Sequence, residues 1–260
     1  MNLKHIKSIG IEVETFLTSK NGHIIYNASK VLEKKLGFSI NPSQSRNFIQ
    51  LHDLKLVTDG TVLECSAEFL NHYTNFLSWL QFNVFSKLDR IQYDYFKNKY
   101  LFDYGCYKEH GNDNFFDSPN DVYASSKVNY NAYTNTNFHS DKKDINETVT
   151  KRTAGLHFHF EFKNNYLYNT VILNAITQNL DKFKNQYLID NSCELNNKRK
   201  LLYPDGIYRI KNHLDKGIKT YEYRSLIPSL ITNDSGRNKL ESFVEKVDEE
   251  LGKFSHDNGY

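Results

Sequence analysis

A strict alternation of apolar and polar residues in LHFHFEF, residues 156–162 of the stretch KRTAGLHFHFEF, restricts the possible folds more than any other feature. Side chains of a β-strand alternate between its two faces, so His157 and His159 would share one face and the apolar residues around them the other. The two adjacent imidazoles indicate one of two things. They lie on a polar, solvated sheet face, or they form a metal or phosphate site on the floor of a cleft.

The same period of two predicts strands at residues 8–18, 49–69, 154–162 and 206–230. Apolar residues recur every three or four positions at residues 71–100, 169–188 and 238–254, which predicts three helices. We therefore expect one α+β domain over residues 1–260, with an antiparallel sheet and helices packed on one side of it. The segment at about 103–150 is rich in Asn, Asp, Ser and Tyr without a period, and is predicted to be a loop or lid inserted in this domain.

The bulk composition excludes some classes of protein. Lys and Arg total 33 against 31 Asp and Glu, so nucleic acid is not an expected partner. No signal peptide is visible and no apolar run approaches about 18 residues, which predicts a soluble protein without a membrane partner. The scattered cysteines Cys65, Cys106 and Cys193 indicate reduced thiols and a cytoplasmic location.

Four of the strand segments carry charged or imidazole side chains at a period of two. In GIEVE, Glu12 and Glu14 share a face with their carboxylates about 6–7 Å apart. Such oxygens are the ligands that Mg²⁺ binds. Glu64 follows the Asp59-Gly60 turn on another strand. Taken alone, each of these acids is more typical of a solvated sheet face.

The other two segments add imidazoles and a guanidinium. His157 and His159 could bind a metal or contact phosphate oxygens, although such a pair is by itself more often structural. In YEYRSL, Glu222 and Arg224 share a face. They could neutralise each other, or Glu222 could hold a cation while Arg224 stabilises charge on a transferring phosphoryl group.

The combination indicates function more strongly than any of its members. With Arg152 and Arg209 nearby, acids, histidines and arginines would converge on one sheet face, and burying them without a ligand would be costly. The set suits Mg²⁺ and a nucleotide phosphate tail. The sequence has neither GxxxxGK[ST] nor GxGxxG, so metal ions and arginines would hold the phosphates. Without GxSxG or a cysteine with an assignable histidine partner, nucleophilic hydrolase chemistry is unsupported.

Four segments, GIEVETFLTSKNG, LVTDGTVLECSAEF, RTAGLHFHFEF and RKLLYPDGIYRIK…TYEYRSLIPS, occur in the order of the motifs of the amidoligase, or carboxylate–amine ligase, family. The chain resembles the phage-type branch of that family over about residues 9–230. The family belongs to the glutamine synthetase-like superfamily, which includes the glutamate–cysteine ligases. One departure is the first strand, which reads Gly-Ile-Glu-Val-Glu where the phage-type branch often reads Gly-x-Asp-Pro-Glu.

This resemblance implies a glutamine synthetase or glutamate–cysteine ligase-like catalytic domain that uses ATP and Mg²⁺, or Mn²⁺ in its place. The implied metal ligands are Glu12, Glu14, Glu64, Glu222 and His157. The residues implied to contact the ATP phosphates are His157, His159, Arg152, Arg209 and Arg224, of which Arg224, Arg209 and His157 would act in catalysis.

The implied reaction joins a small-molecule or peptide carboxylate to an amine. The carboxylate attacks the γ-phosphate of ATP, and the amine displaces phosphate from the acyl phosphate to form an amide. The polar segment at 103–150 would exclude water as a lid. The implied location is the cytoplasm, which is the host cytoplasm if the protein is phage-encoded.

Two other functions stay open at this point. A metal-dependent phosphodiesterase or nuclease also uses clustered acids and histidines, although the near-neutral charge disfavours it. A non-catalytic member could bind a nucleotide on the same fold, although it would not need to keep both the Glu-x-Glu and the Glu-x-Arg strands.

Overall fold

The computed structural model describes residues 1–25, 39–41, 46–51, 54–59, 62–70, 76–94, 96–109, 151–202, 204–213 and 217–255. The strands in these ranges are β1 (Ile6–Ser19), β2 (Ser39–Asn41), β3 (Arg46–Leu51), β4 (Leu54–Asp59), β5 (Val62–Leu70), β6 (Tyr100–Asp103), β7 (Tyr107–Glu109), β8 (Lys151–Thr153), β9 (Leu156–Phe162), β10 (Tyr208–His213) and β11 (Ile218–Leu226).

Nine of these strands form one antiparallel sheet. The strand order is β10-β11-β9-β1-β5-β4-β3-β2, and β6 pairs with the C-terminal part of β1. Strands β7 and β8 form a separate two-stranded sheet. The long strand β1 therefore lies at the centre, between β9 and β5.

The helices are α1 (Phe76–Trp79), α2 (Ser86–Asp94), α3 (Thr170–Phe183), α4 (Glu194–Leu202) and α5 (Asp234–Ser255). A π-helical segment, Leu80–Phe85, joins α1 to α2, and another, Lys184–Leu188, extends α3. The prediction of an α+β protein with an antiparallel sheet and helices is confirmed.

Helices α1, α3 and α5 pack against the apolar face of the sheet. Phe158 of β9 is fully buried and lies 6.2 Å, between ring centroids, from both Phe76 of α1 and Phe243 of α5. Helix α3 contacts the same face through a hydrogen bond between the hydroxyl groups of Thr177 and Tyr221. Burying a phenylalanine contributes about 1.5–3 kcal/mol, so this layer stabilises the three central strands.

The first helical region is shorter than predicted. It ends at Asp94, and Tyr100 already begins β6, whereas the periodicity predicted a helix through Tyr100. Lys97 and Asn98 adopt left-handed φ values of 49° and 54°, a conformation that cannot continue a helix. Phe76, Leu80, Val84 and Leu88 are buried at steps of four residues. In a regular α-helix of about 3.6 residues per turn they would not stay on one face, and the wider π-helical turns keep them there.

The predicted polar loop at about 103–150 begins with ordered structure. The prediction was wrong for residues 107–109, which form β7 and pair with β8. Short strands of three residues carry too few alternating positions to be recognised from a pattern. Residues 110–150, the main part of the proposed lid, lie outside the described residues.

Two further predictions bear on location. Cys106 and Cys193 are free cysteines, while the side chain of Cys65 lies outside the described part. Within the described ranges, no helix combines the length and apolar character that crossing a bilayer requires.

Candidate functional site

Three neighbouring strands bring acidic and imidazole side chains to one buried patch on the sheet. Glu12 of β1 lies opposite His157 of β9, and Glu222 of β11 lies opposite His159 of β9. Directly opposite residues share a face, so the four side chains meet. They are buried, with exposed fractions of 6% for Glu12, 2% for each histidine and 0% for Glu222.

Glu12, His157 and Glu222 form a set that could hold a metal ion. One ligand atom from each lies within 4.8 Å of the others. The Nδ1 atom of His157 is 3.5 Å from Oε2 of Glu12 and 3.7 Å from Oε1 of Glu222. Ligands bound at about 2.1 Å lie at most about 4.2 Å apart, so the imidazole is at coordination distance from both carboxylates. The oxygens suit Mg²⁺ and Mn²⁺, and the nitrogen favours the transition metal.

Two buried ring nitrogens in this patch, Nδ1 of His157 and Nε2 of His159, have no hydrogen-bond partner among the described residues. The Nε2 atom of His159 lies 3.1 Å from Oε1 of Glu12, but the hydrogen-bonding geometry is poor. Buried polar atoms almost always have a partner. A bound ligand at the patch would supply one.

Cationic side chains form hydrogen-bonded ion pairs with the carboxylates of Glu12 and Glu222. Both oxygens of Glu222 accept hydrogen bonds from guanidiniums, Oε1 from Arg224 and Oε2 from Arg209. Lys211 donates to Oε1 of Glu12 over 2.6 Å. Arg209 and Lys211 belong to β10 and are partly exposed, with 22% and 32% of their side chains accessible. The predicted arginines Arg209 and Arg224 are thus part of the patch.

These cations keep both acids ionised. Burial by itself raises the pKa of Glu222, but the charges of Arg224 and His159 outweigh it and hold the pKa well below its ordinary value. Burial likewise raises the pKa of Glu12, and the charges of His159 and Lys211 bring it well below the ordinary value. Both side chains therefore present carboxylate oxygens at neutral pH.

His157 is held in its neutral form. Burial and then the charge of Arg224 lower its pKa, against the carboxylates of Glu14, Glu12 and Glu222, which raise it. A neutral imidazole keeps one nitrogen lone pair, which is the form that binds a metal.

Glu14 lies on the other side of the His157 ring from the three-residue set. Its Oε2 accepts the backbone N–H of Gly155 over 2.7 Å and is 3.8 Å from Nε2 of His157. At 3.8 Å the two atoms are too far apart for a hydrogen bond, so Glu14 acts on His157 through its charge. The structure therefore places this predicted metal ligand beside His157 rather than in the set with Glu12 and Glu222.

A β-bulge helps to place Arg224. Tyr223 pairs with Phe158 and Leu226 with Leu156, so two residues of β11, Arg224 and Ser225, oppose one residue of β9. The carbonyl of Arg224 in this bulge accepts a hydrogen bond from Arg199 of α4 over 3.3 Å. Arg199 also donates to the carbonyl of Ala154 over 3.2 Å. It thereby ties the bulge to the start of β9.

Two predicted residues cannot be placed by their side chains. Glu64 lies directly opposite Glu14 in the register of β1 and β5, and Arg152 pairs with Lys108 between β7 and β8. The side chains of Glu64 and Arg152 lie outside the described part.

Two residues of the site were missed in the sequence. Lys211 could have been found, since it follows Arg209 by two positions on a strand and so shares its face. Arg199 gave no signal, because its role depends on contacts between α4 and two distant carbonyl groups.

No protein-family model and no curated protein matches this chain. The chemistry of the site is therefore the ground on which a function can be proposed.

Proposed function

We propose that this protein is an ATP-dependent carboxylate–amine ligase with a glutamine synthetase-like fold, similar to the phage-type amidoligases. The observation that carries the proposal is a buried set of metal ligands, Glu12, His157 and Glu222, with Arg209 and Arg224 on the same sheet face. Phosphoryl transfer needs this combination, because its catalysis is mainly positioning and neutralisation of charge.

Each group of the site has a distinct role in this proposal. Glu12, His157 and Glu222 would hold Mg²⁺ or Mn²⁺, which supplies charge neutralisation for the phosphates of ATP. Arg209 and Arg224 bind phosphate oxygens, and Arg224 stabilises the negative charge that develops on the transferring group. His159 contacts the phosphates next to Glu12.

The reaction needs no covalent nucleophile from the protein. A small-molecule or peptide carboxylate attacks the γ-phosphorus, and ADP leaves. The amine then attacks the carbonyl carbon of the acyl phosphate, phosphate leaves, and an amide forms. We place this reaction in the cytoplasm.

Ligand-dependent stabilisation tests the site without knowledge of the substrates. The unfolding temperature would be measured with Mn²⁺, with a non-hydrolysable ATP analogue, and with both. At about 100 times its dissociation constant a ligand adds about 2.7 kcal/mol, which raises the unfolding temperature by several degrees. We expect the largest rise with both, and its loss in Glu12→Gln.

Glu161→Gln is the matched control, because Glu161 lies on β9 but pairs with Lys7 and Ser8 away from the patch. It should keep the full rise. A rise with Mn²⁺ alone that ATP does not increase would contradict the ligase and favour a metal-dependent phosphodiesterase, which cleavage of nucleic acid without ATP would then establish.

Turnover is tested by trapping the intermediate. With ATP, Mg²⁺ and a panel of carboxylates, formation of the acyl phosphate releases ADP, and hydroxylamine as the amine then converts the acyl phosphate to a hydroxamate and phosphate. We expect ADP release to require a carboxylate and to be abolished in Arg224→Met. ATP binding without turnover across amino acids, peptides and polyamines would identify a non-catalytic nucleotide-binding protein.

A further inference from the structure

The carboxylates that would bind a metal are already bonded to cations. Arg224 and Arg209 occupy both oxygens of Glu222, and Lys211 occupies one oxygen of Glu12. A divalent cation at these oxygens competes with the guanidiniums and the ammonium, because positive charges held at the same carboxylate repel each other.

Displacement creates a need for an anion. Among the described side chains of this patch, the three carboxylates of Glu12, Glu14 and Glu222 face the three cations of Arg209, Lys211 and Arg224, so the acids are already compensated before any positive charge of His159 is counted. A divalent cation adds two positive charges. Released guanidiniums near a buried patch are costly unless an anion accepts their hydrogen bonds.

We propose that Glu12 and Glu222 exchange Arg209, Arg224 and Lys211 for a divalent cation, and that the released side chains bind a polyphosphate. The site then takes metal and polyphosphate as a pair and binds each alone weakly. This inference rests on the metal site of the proposed function and adds which ion pairs break, and which form, when the metal binds. A single carboxylate carries one negative charge and cannot restore the balance, whereas a diphosphate or triphosphate can.

The exchange predicts opposite changes in two binding measurements, each with one ligand. The first is calorimetric titration with Mn²⁺ alone. If Arg209 and Lys211 compete with the metal, Arg209→Met and Lys211→Met bind Mn²⁺ more tightly than the unmodified protein, by about 5-fold or more. The control Lys7→Met removes a lysine from an ion pair with Glu161 on the same sheet and should leave Mn²⁺ binding unchanged.

The second measurement is titration with inorganic tripolyphosphate in the presence of EDTA. Glu222→Gln removes the negative charge with which both guanidiniums pair, so tripolyphosphate should bind about 10-fold more tightly than to the unmodified protein. Glu14→Gln is a control matched in charge, because it removes the same charge from the same patch but Glu14 accepts from a backbone N–H rather than from an arginine. It should change tripolyphosphate binding by less than about 3-fold.

The outcomes separate the exchange from the metal site. The exchange is overturned if the unmodified protein binds Mn²⁺ and neither Arg209→Met nor Lys211→Met tightens that binding, while Glu222→Gln and Glu14→Gln bind tripolyphosphate equally. The metal site stands in that case. No Mn²⁺ binding to any variant, with or without tripolyphosphate, overturns the metal site and the proposed function with it. Lys211→Met keeps the test valid if Arg209→Met does not fold, because Lys211 is one-third exposed.

Discussion

Arg199 offers a test of whether the backbone contacts that join β9 to β11 control the geometry of the site. The side chain is 3% exposed and donates hydrogen bonds from Nε to the carbonyl of Ala154 and from Nη2 to the carbonyl of Arg224. The first carbonyl precedes β9, which carries His157, and the second lies in the bulge of β11. We expect Arg199→Met to loosen both strands where they meet.

The size of the effect follows from these two bonds. A hydrogen bond to a charged group contributes about 1.5–3 kcal/mol, and the hydration that the two carbonyls regain offsets part of it. We therefore expect Arg199→Met to lower the free energy of unfolding by about 2–4 kcal/mol. In a protein of this size the unfolding temperature falls by roughly 5–15 °C. Arg199→Lys keeps the charge but not the planar fork, so its loss should be smaller.

The assay pairs urea unfolding with Mn²⁺ titration, and Arg237→Met is the control. Arg237 is also buried, at 8% exposed, and donates to a backbone carbonyl, that of Ile231, but it belongs to α5 on the helical side. We expect both variants to lose stability, and only Arg199→Met to lose Mn²⁺ affinity, by about 10-fold. An Arg199→Met protein that loses stability but binds Mn²⁺ within about 2-fold of the original would refute the reasoning.

Three further predictions concern single contacts. A Cβ at Gly155 would lie 2.6 Å from Nε2 of His157, so Gly155→Ala should weaken Mn²⁺ binding by about 10-fold in calorimetry, and unchanged affinity would show that the ring can move. Burial raises the pKa of Tyr168 to about 12 from 10.0, so the folded state keeps this proton to higher pH than the unfolded state. Tyr168 should therefore contribute up to about 2.7 kcal/mol to the fall in stability between pH 10 and 12 in urea unfolding, and an equal fall in Tyr168→Phe would contradict this origin. The carboxylate of Asp248 accepts three backbone N–H groups at residues 4–6, so Asp248→Ala should cost about 2–4 kcal/mol in urea unfolding, and a loss under about 1 kcal/mol would mean that water replaces it.

The alternation of residues predicted which side chains share a face, because the period of a strand is fixed by covalent geometry. It placed Glu12 with Glu14 and His157 with His159, and the structure keeps both pairs on the patch. It could not predict which strands are neighbours. That β9 lies between β1 and β11, so that His157 lies within 4 Å of both Glu12 and Glu222, follows from tertiary packing.

Helix α4 shows why other parts were missed. Its apolar residues do not follow a helical face, and Leu195 and Leu201 are 45% and 83% exposed. Periodicity detects a helix by the apolar face that it buries. Polar contacts anchor α4 instead, because Arg199 donates to the carbonyl of Ala154 and Asn196 accepts a hydrogen bond from the thiol of Cys106. The bulge at Arg224 is equally invisible, since an extra residue in one strand leaves the alternation of its sequence unchanged.

Buried charge on this sheet face is weak support for a ligand when it is considered alone. Glu222 is fully buried, yet Arg209 and Arg224 compensate its charge without any bound molecule. The stronger observation is that the same patch leaves Nδ1 of His157 and Nε2 of His159 without hydrogen bonds among the described residues. A network selected only for stability would give these atoms hydrogen-bond partners in good geometry, because an unsatisfied buried nitrogen costs about 1–3 kcal/mol. The two imidazoles therefore favour a binding site over a structural ion-pair cluster, and the metal titrations address these atoms.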